Sequence, residues 1–274
     1  MEIINKKSNI NVNVFLLFTS LYCINKTYDN NDTIPVFDSI FYKSIKFITI
    51  CIYNCQRILE NKIINRKLYE SVSSFLFYII NTILLHICLN DKEWFHKLVF
   101  FDNVDNHIFS SFELLIYKIQ ISHYLLELYH VSNKKIKRKD DTEMFIHHIV
   151  TLTLIIGSYY RNIIRGGLYV MYLHDINDVF LQLSKTLVYL GYKENITNCT
   201  FGIFICSWVY TRLYLFGRLT YDMGITYYNM NLLLNILFYS LCSLYILNLI
   251  WFKMIFQILL KTIFENKLED IREN

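Results

Sequence analysis

The chain has 274 residues, 54% of them hydrophobic and 17% aromatic, and a net charge of +4. A soluble domain is about 45–50% apolar; here the apolar residues gather into recurring runs of about 17–25, the length of a membrane-crossing helix, which excludes an ordinary water-soluble globule. The charge is small and its basic residues are clustered, which reads as membrane topology and excludes a nucleic-acid footprint. The seven cysteines are scattered with no C-x-x-C pair, which excludes a zinc ribbon or a disulfide framework.

The chain opens on a polar stretch holding Lys6 and Lys7, followed by a weak apolar run at 10–24 that fits either a signal peptide or a short first membrane helix. Asn25 and Asn31 begin glycosylation sequons in a polar loop. Apolar spans follow at 36–55 and 71–89, with a basic loop between them that carries Arg57, Lys62, Arg66 and Lys67. Residues 90–106 form a loop whose Trp94, Phe95, Phe100 and Phe101 suit headgroup depth. The span at 108–130 is unusually polar, with Glu113, Lys118, Gln120, His123 and Glu127. Such a helix should face protein or a wet cavity. The most basic run, 134–139, comes next.

A central pair of spans occupies 143–192, and two more lie at 200–221 and 231–260, before a charged tail at 261–274. The positive-inside rule puts the loops at 57–67 and 134–139 in the cytosol. Alternation then places the tip near Asn162 in the lumen and the tail in the cytosol. The expected fold is all-α, a polytopic helical bundle of about seven or eight transmembrane helices.

The central pair holds His147, His148, His174, Asp175 and Asp178 in otherwise apolar sequence. Each ionisable group costs a few kcal/mol or more at the bilayer centre, so such a cluster marks a functional site. Read as an antiparallel hairpin turning near position 163, the two helices place His148 and Asp178 fifteen residues on either side of the turn, and Thr151 matches Asp175. At 1.5 Å per residue this band lies roughly 15–22 Å from the tip, towards the cytosolic half. His174 and Asp178, four apart, share a helix face. A histidine beside a carboxylate is a general base, able to deprotonate an amine or alcohol or to take an acyl group as a nucleophile. Zinc or iron binding uses the same residue types. The remaining five histidines (His86, His96, His107, His123, His130) lack the clustered spacing of membrane di-iron enzymes, so no metal is expected. Polar glue between helices is the plain alternative; two acids and three histidines exceed what packing needs.

The stretch His147-His148, Thr151, Ser158, Asn162, Arg165, Gly167, His174-Asp175, Asp178, Lys185 and Tyr189 closely resembles the signature motif of ceramide synthases, the longevity-assurance branch of the TLC-domain membrane proteins. Arg138-Lys139-Asp140 and Glu143-Met144 resemble that family's basic approach to the motif. Glu70-Ser71, Phe75 and Phe77-Tyr78 resemble an upstream element, and Trp208 to Leu213 with Thr211-Arg212-Leu213 a downstream one. The likeness covers about residues 68–260, which sets the expected domains: 1–67 with one or two membrane helices, 68–260 the TLC domain, 261–274 a cytosolic tail. Ser73-Ser74 stand where the family usually has Trp-Arg, Gln182 where an acid is common, and the proline expected after Arg212 is missing.

The resemblance implies N-acylation of a sphingoid base by acyl-CoA in the endoplasmic reticulum membrane. Acyl-CoA enters as co-substrate, with no dissociable cofactor and no nucleic acid. Membrane lipids surround the chain, which can pair as a homodimer or heterodimer. His147 or His148 would take the amine proton. His174 with Asp175 or Asp178 would orient that base or stabilise the tetrahedral intermediate. Thr151, Ser158, Asn162, Arg165, Lys185 and Arg212 would bind substrate or support the site. Two other readings share part of this pattern: a non-catalytic TLC-type lipid sensor or carrier, and a lipid acyltransferase acting on an alcohol.

Overall fold

The computed structural model describes residues 66–101, 110–132, 138–227 and 232–265, all within one unit, Ile64–Asn274. The expected spans at 10–24 and 36–55, the sequons at Asn25 and Asn31, most of both basic loops and the end of the tail lie outside the described residues. The described chain is helical, without strands: α1 (Arg66–Asn90), α2 (Glu93–Lys97), α3 (Ser111–Ser132), α4 (Asp141–Tyr160), α5 (Ile164–Tyr189), α6 (Glu194–Trp208), a π-helical segment (Val209–Leu215), α7 (Phe216–Thr226) and α8 (Leu232–Glu265).

Three described stretches are long and apolar enough to cross a membrane: Lys67–Asn90, Glu194–Thr226 and Leu232–Phe264. The second joins α6, the π segment and α7. Helices α3, α4 and α5 have 22, 20 and 26 residues, long enough to span, but they carry most of the ionisable groups. Their polar residues are mostly turned inward: Glu113 and Gln120 are fully buried in α3, while Lys118 is exposed.

Local chemistry explains the helix ends. Ser110 and Glu113 form a reciprocal capping box at the start of α3: the Ser110 amide donates to Glu113 Oε2 at 2.9 Å, and the Glu113 amide donates to Ser110 Oγ at 3.2 Å. Asp141 and Glu143 put negative charge in the first turn of α4, where the helix dipole favours it. That helix ends in a Schellman turn. The Ile163 amide donates to Ser158 O and the Asn162 amide to Tyr159 O, with Asn162 left-handed at φ 58°. Asparagine tolerates this conformation and a β-branched residue does not. Asn162→Gly should therefore leave the thermal midpoint nearly unchanged. Asn162→Val should cost about 1–2 kcal/mol and lower it; equal midpoints would refute this role.

Helix α5 is the central rod. It packs along α1 on one side and α6 on another, whereas α4 packs chiefly on α3 and α8. Near the α4–α5 turn three helices meet at one point: Tyr117 Oη of α3 lies 3.1 Å from Ser158 Oγ of α4, over Gly167 of α5. A Cβ on Gly167 would run into that hydroxyl and lie 2.8 Å from Ser158 Oγ. Gly167→Ala should cost about 1–3 kcal/mol through overpacking, read as a lower thermal midpoint; a midpoint equal to the parent's would refute the close fit.

Phe100 and Phe101 are buried core residues packed with Tyr169 and Leu173. Once α2 folds within the predicted loop, the chain doubles back and carries them under α5. Helix α8 continues to Glu265, with Thr262 buried.

Candidate active site

The band of polar residues on α5 is deeply buried: His174 is 3% exposed and Asp175 0%. His174 Nδ1 donates to the carbonyl of Val170 at 2.8 Å. That bond selects one tautomer and leaves Nε2 as a bare lone pair, buried and without a hydrogen-bond partner among the described residues. A backbone carbonyl thus holds this ring in place of the expected carboxylate. The ring meets Phe216 edge-on, with centroids 5.1 Å apart.

The two carboxylates of α5 are held by different chemistry. Asp175 Oδ2 accepts from Asn81 Nδ2 of α1 and from Gln120 Nε2 of α3, the latter at 2.6 Å. Asp178 Oδ1 accepts from Arg212 Nη2 at 2.6 Å. The same guanidinium nitrogen donates to His174 O at 3.1 Å, and Nη1 donates to Asn248 Oδ1 at 3.4 Å. Arg212 also lies 4.5 Å over the Trp208 ring, a cation–π contact worth more when desolvated. Arg212 can reach all of these because it sits in the π segment, where one widened turn alters which side chains face α5.

Helix α4 supplies the facing groups. His147 and His148 are both buried, with ring centroids 5.4 Å apart. Tyr124 of α3 stands 6.0 and 5.8 Å from them, and Trp251 of α8 lies 5.2 Å from His147. His147 Nδ1 and Thr151 Oγ1 have no hydrogen-bond partner among the described residues.

Between α4 and α5 runs an apolar chamber. Tyr124, Thr151 and His174 line it towards the polar band; Phe101, Ile163 and Gly167 line it near the turn; Leu219, Leu237 and Leu241 close its side. Its free volume is about 50 Å³, room for a water or two. A longer guest must therefore spread α4, α5 and α8.

Of the residues singled out from sequence, His147, His148, His174, Asp175, Asp178, Thr151 and Arg212 gather around this band. Ser158 lines the chamber at its opposite end, bonded to Tyr117. Asn162 caps α4. Arg165 lies over the Trp94 ring at 5.9 Å. Lys185 lies on α5 beyond Asp178, partly exposed. Asn81, Tyr124, Phe216 and Asn248 were not singled out, and Trp208 only as the start of the downstream element. Gln120 was visible only as one polar residue on a helix that ought to face inward. Among the described residues no three His, Cys, Asp or Glu side chains converge as a metal site.

A helical membrane protein with histidines and carboxylates buried beside a narrow apolar chamber is the class that this fold and site define. Residues 67–257 match the TLC domain of the TRAM, LAG1 and CLN8 proteins, and the chain belongs to that family. It is 33% identical over 190 residues to sphingosine N-acyltransferase lag1 of Schizosaccharomyces pombe, covering 68% of this chain and 48% of that one. It is 30% identical over 220 residues to ceramide synthase 3 of Mus musculus, covering 76% and 55% respectively. It is 26% identical over 295 residues to ceramide synthase LOH1 of Arabidopsis thaliana, covering 90% and 91%. The chain therefore spans about half the length of the first two relatives and most of the third.

Proposed function

We propose that this protein is a ceramide synthase, which transfers a fatty acyl group from acyl-CoA to the amine of a sphingoid base. The observation that carries this reading is the bare Nε2 of His174 in the wall of an apolar chamber, with His147, His148 and Asp175 on the same band. The family membership and the names of the relatives support it.

The chemistry follows from these groups. The amine nitrogen attacks the thioester carbonyl carbon. His174 Nε2 takes the N–H proton, the C–S bond breaks, and the proton passes to the departing thiolate to give free CoA. In this reading His147 or His148 would donate a hydrogen bond to the carbonyl oxygen as it gains charge. Asp178, neutralised by Arg212, holds the π segment against His174 and so fixes the ring's backbone. The chamber takes the acyl chain after its walls part. Both substrates are lipid-borne, so a site inside the bilayer is where their chains already lie.

The proposal includes a bundle of about seven or eight crossings in the endoplasmic reticulum membrane, with its C-terminus in the cytosol. It also includes pairing with a second copy or a related chain. The test is to express the chain in membranes without ceramide synthase activity and to supply a sphingoid base with acyl-CoA donors of several lengths. N-acylated base is the expected product. A folded, membrane-inserted protein that yields none across those donors would sink the reading.

A further inference from the structure

Asp175 is held in a way that a purely structural carboxylate does not require. Two amide side chains from two other helices converge on one of its oxygens. Asn81 Nδ2 and Gln120 Nε2 both donate to Oδ2, and the two donors are themselves 1% and 0% exposed. Oδ1 has no hydrogen-bond partner among the described residues. An unsatisfied polar atom in the interior costs about 1–3 kcal/mol, which a hydrogen-bonding group entering beside Oδ1 would recover; Asn81 Oδ1 and Gln120 Oε1 are likewise without a hydrogen-bond partner among the described residues. Asp178, one turn further along α5, shows the other solution: a guanidinium neutralises it. The groups on Asp175 Oδ2 are neutral. They set the direction of the carboxyl group.

We infer that Asn81 and Gln120 are positioning residues that clamp Asp175 by one oxygen and reserve the other for the amine of the incoming base. A sphingoid base arrives as an ammonium ion, which must give up one proton before its nitrogen can attack; a bare carboxylate oxygen is the chemical partner for its N–H groups and takes that proton, leaving the second for His174. The clamp also ties α1 and α3 to α5 at the depth of the histidines, so the carboxylate cannot swing as the chamber opens. Neither amide touches substrate in this scheme; both act through Asp175. The inference rests on the acyl-transfer reading.

The experiment uses the full chain in lipid nanodiscs, with Asn81→Leu and Gln120→Met as near-isosteric variants without a donor. Gln120→Asn keeps the amide but shortens its reach, and stands in for Gln120→Met if that variant fails to fold. Asn177→Leu, which removes a buried amide bonded to Ser207 Oγ and not to Asp175, is the control. Two readouts are taken: kcat and KM for sphinganine and palmitoyl-CoA, and the infrared carboxyl band of Asp175, isolated by difference from Asp175→Asn. Each clamp variant should lose about 10²-fold in kcat, with KM for palmitoyl-CoA within threefold and the Asp175 band shifted. Asn177→Leu should leave the band in place and kcat per folded protein within twofold. An unmoved band, or an unchanged kcat in both clamp variants, overturns the inference. A parent protein that makes no product but whose band shifts in the variants overturns the acyl-transfer reading, and with it the catalytic purpose of the clamp, while upholding the clamp itself.

Discussion

His174→Ala is expected to lower the initial rate of N-acylation by about 10²–10⁴-fold, the range that a positioned general base supplies. The ring is poised by one hydrogen bond, from Nδ1 to the Val170 carbonyl. That carbonyl lies four residues back in the same helix, so it keeps its place when the ring is removed. The protein should therefore stay folded, and rates can be compared at matched abundance. His174→Gln is the stringent companion: it fills similar space but offers no basic nitrogen, and it should be as inactive as the alanine variant. Asp175→Ala and His148→Ala should be inactive too at normal abundance. More than a tenth of parental activity in both His174 variants would show that the proton goes elsewhere, with His147 and its unpartnered Nδ1 the next group to test.

Arg212→Met should damage the fold. Its side chain is 4% exposed and that of Asp178 16%, so removing the cation leaves a buried carboxylate uncompensated, a loss of about 3–5 kcal/mol. It also strips a donor from His174 O and the stacked cation from Trp208. Thermal unfolding in detergent should show a midpoint lower by roughly 6–20 °C, at about 2–4 °C per kcal/mol for a domain of this size. Combining Arg212→Met with Asp178→Leu removes both charges and should recover most of that midpoint, because an apolar pair of similar volume is often as stable as a buried ion pair. Turnover should not return, since the π segment no longer anchors the His174 backbone. A single variant as stable as the parent would mean that the pair does not hold α5 to this segment.

Much of the helical frame was legible from apolar run length. The expected spans at 71–89 and 108–130 correspond to α1 and α3, and the central hairpin turns at 161–163, close to the position assumed. The inward face of α3 was legible too, because Gln120 in an apolar span has nowhere favourable to go but the protein interior. Other features were not readable. Ser158, Asn162 and Arg165 belong to the same motif as His147 and His148, but they serve the turn end: ten residues along a helix is about 15 Å, and a motif string does not distinguish a chemical end from a folding end. Nor was the burial of Phe100 and Phe101 readable, because aromatic residues near polar ones are compatible with an exposed loop and with a core alike.

The amino-acid sequence by itself determined that the chain is helical, that it lies in a membrane, and that histidines and carboxylates fall at one level of its central pair of helices. Those properties depend on run length and on helical spacing, which are local along the chain. Tertiary structure alone decided which partner each group has. Asp175 is met by amides 94 and 55 positions away, Asp178 by a guanidinium 34 positions away, and His174 by a carbonyl of its own helix in place of either acid. Such pairings depend on how helices rotate and cross, and at Arg212 on a single widened turn; periodicity within one helix carries no information about the face its neighbour presents.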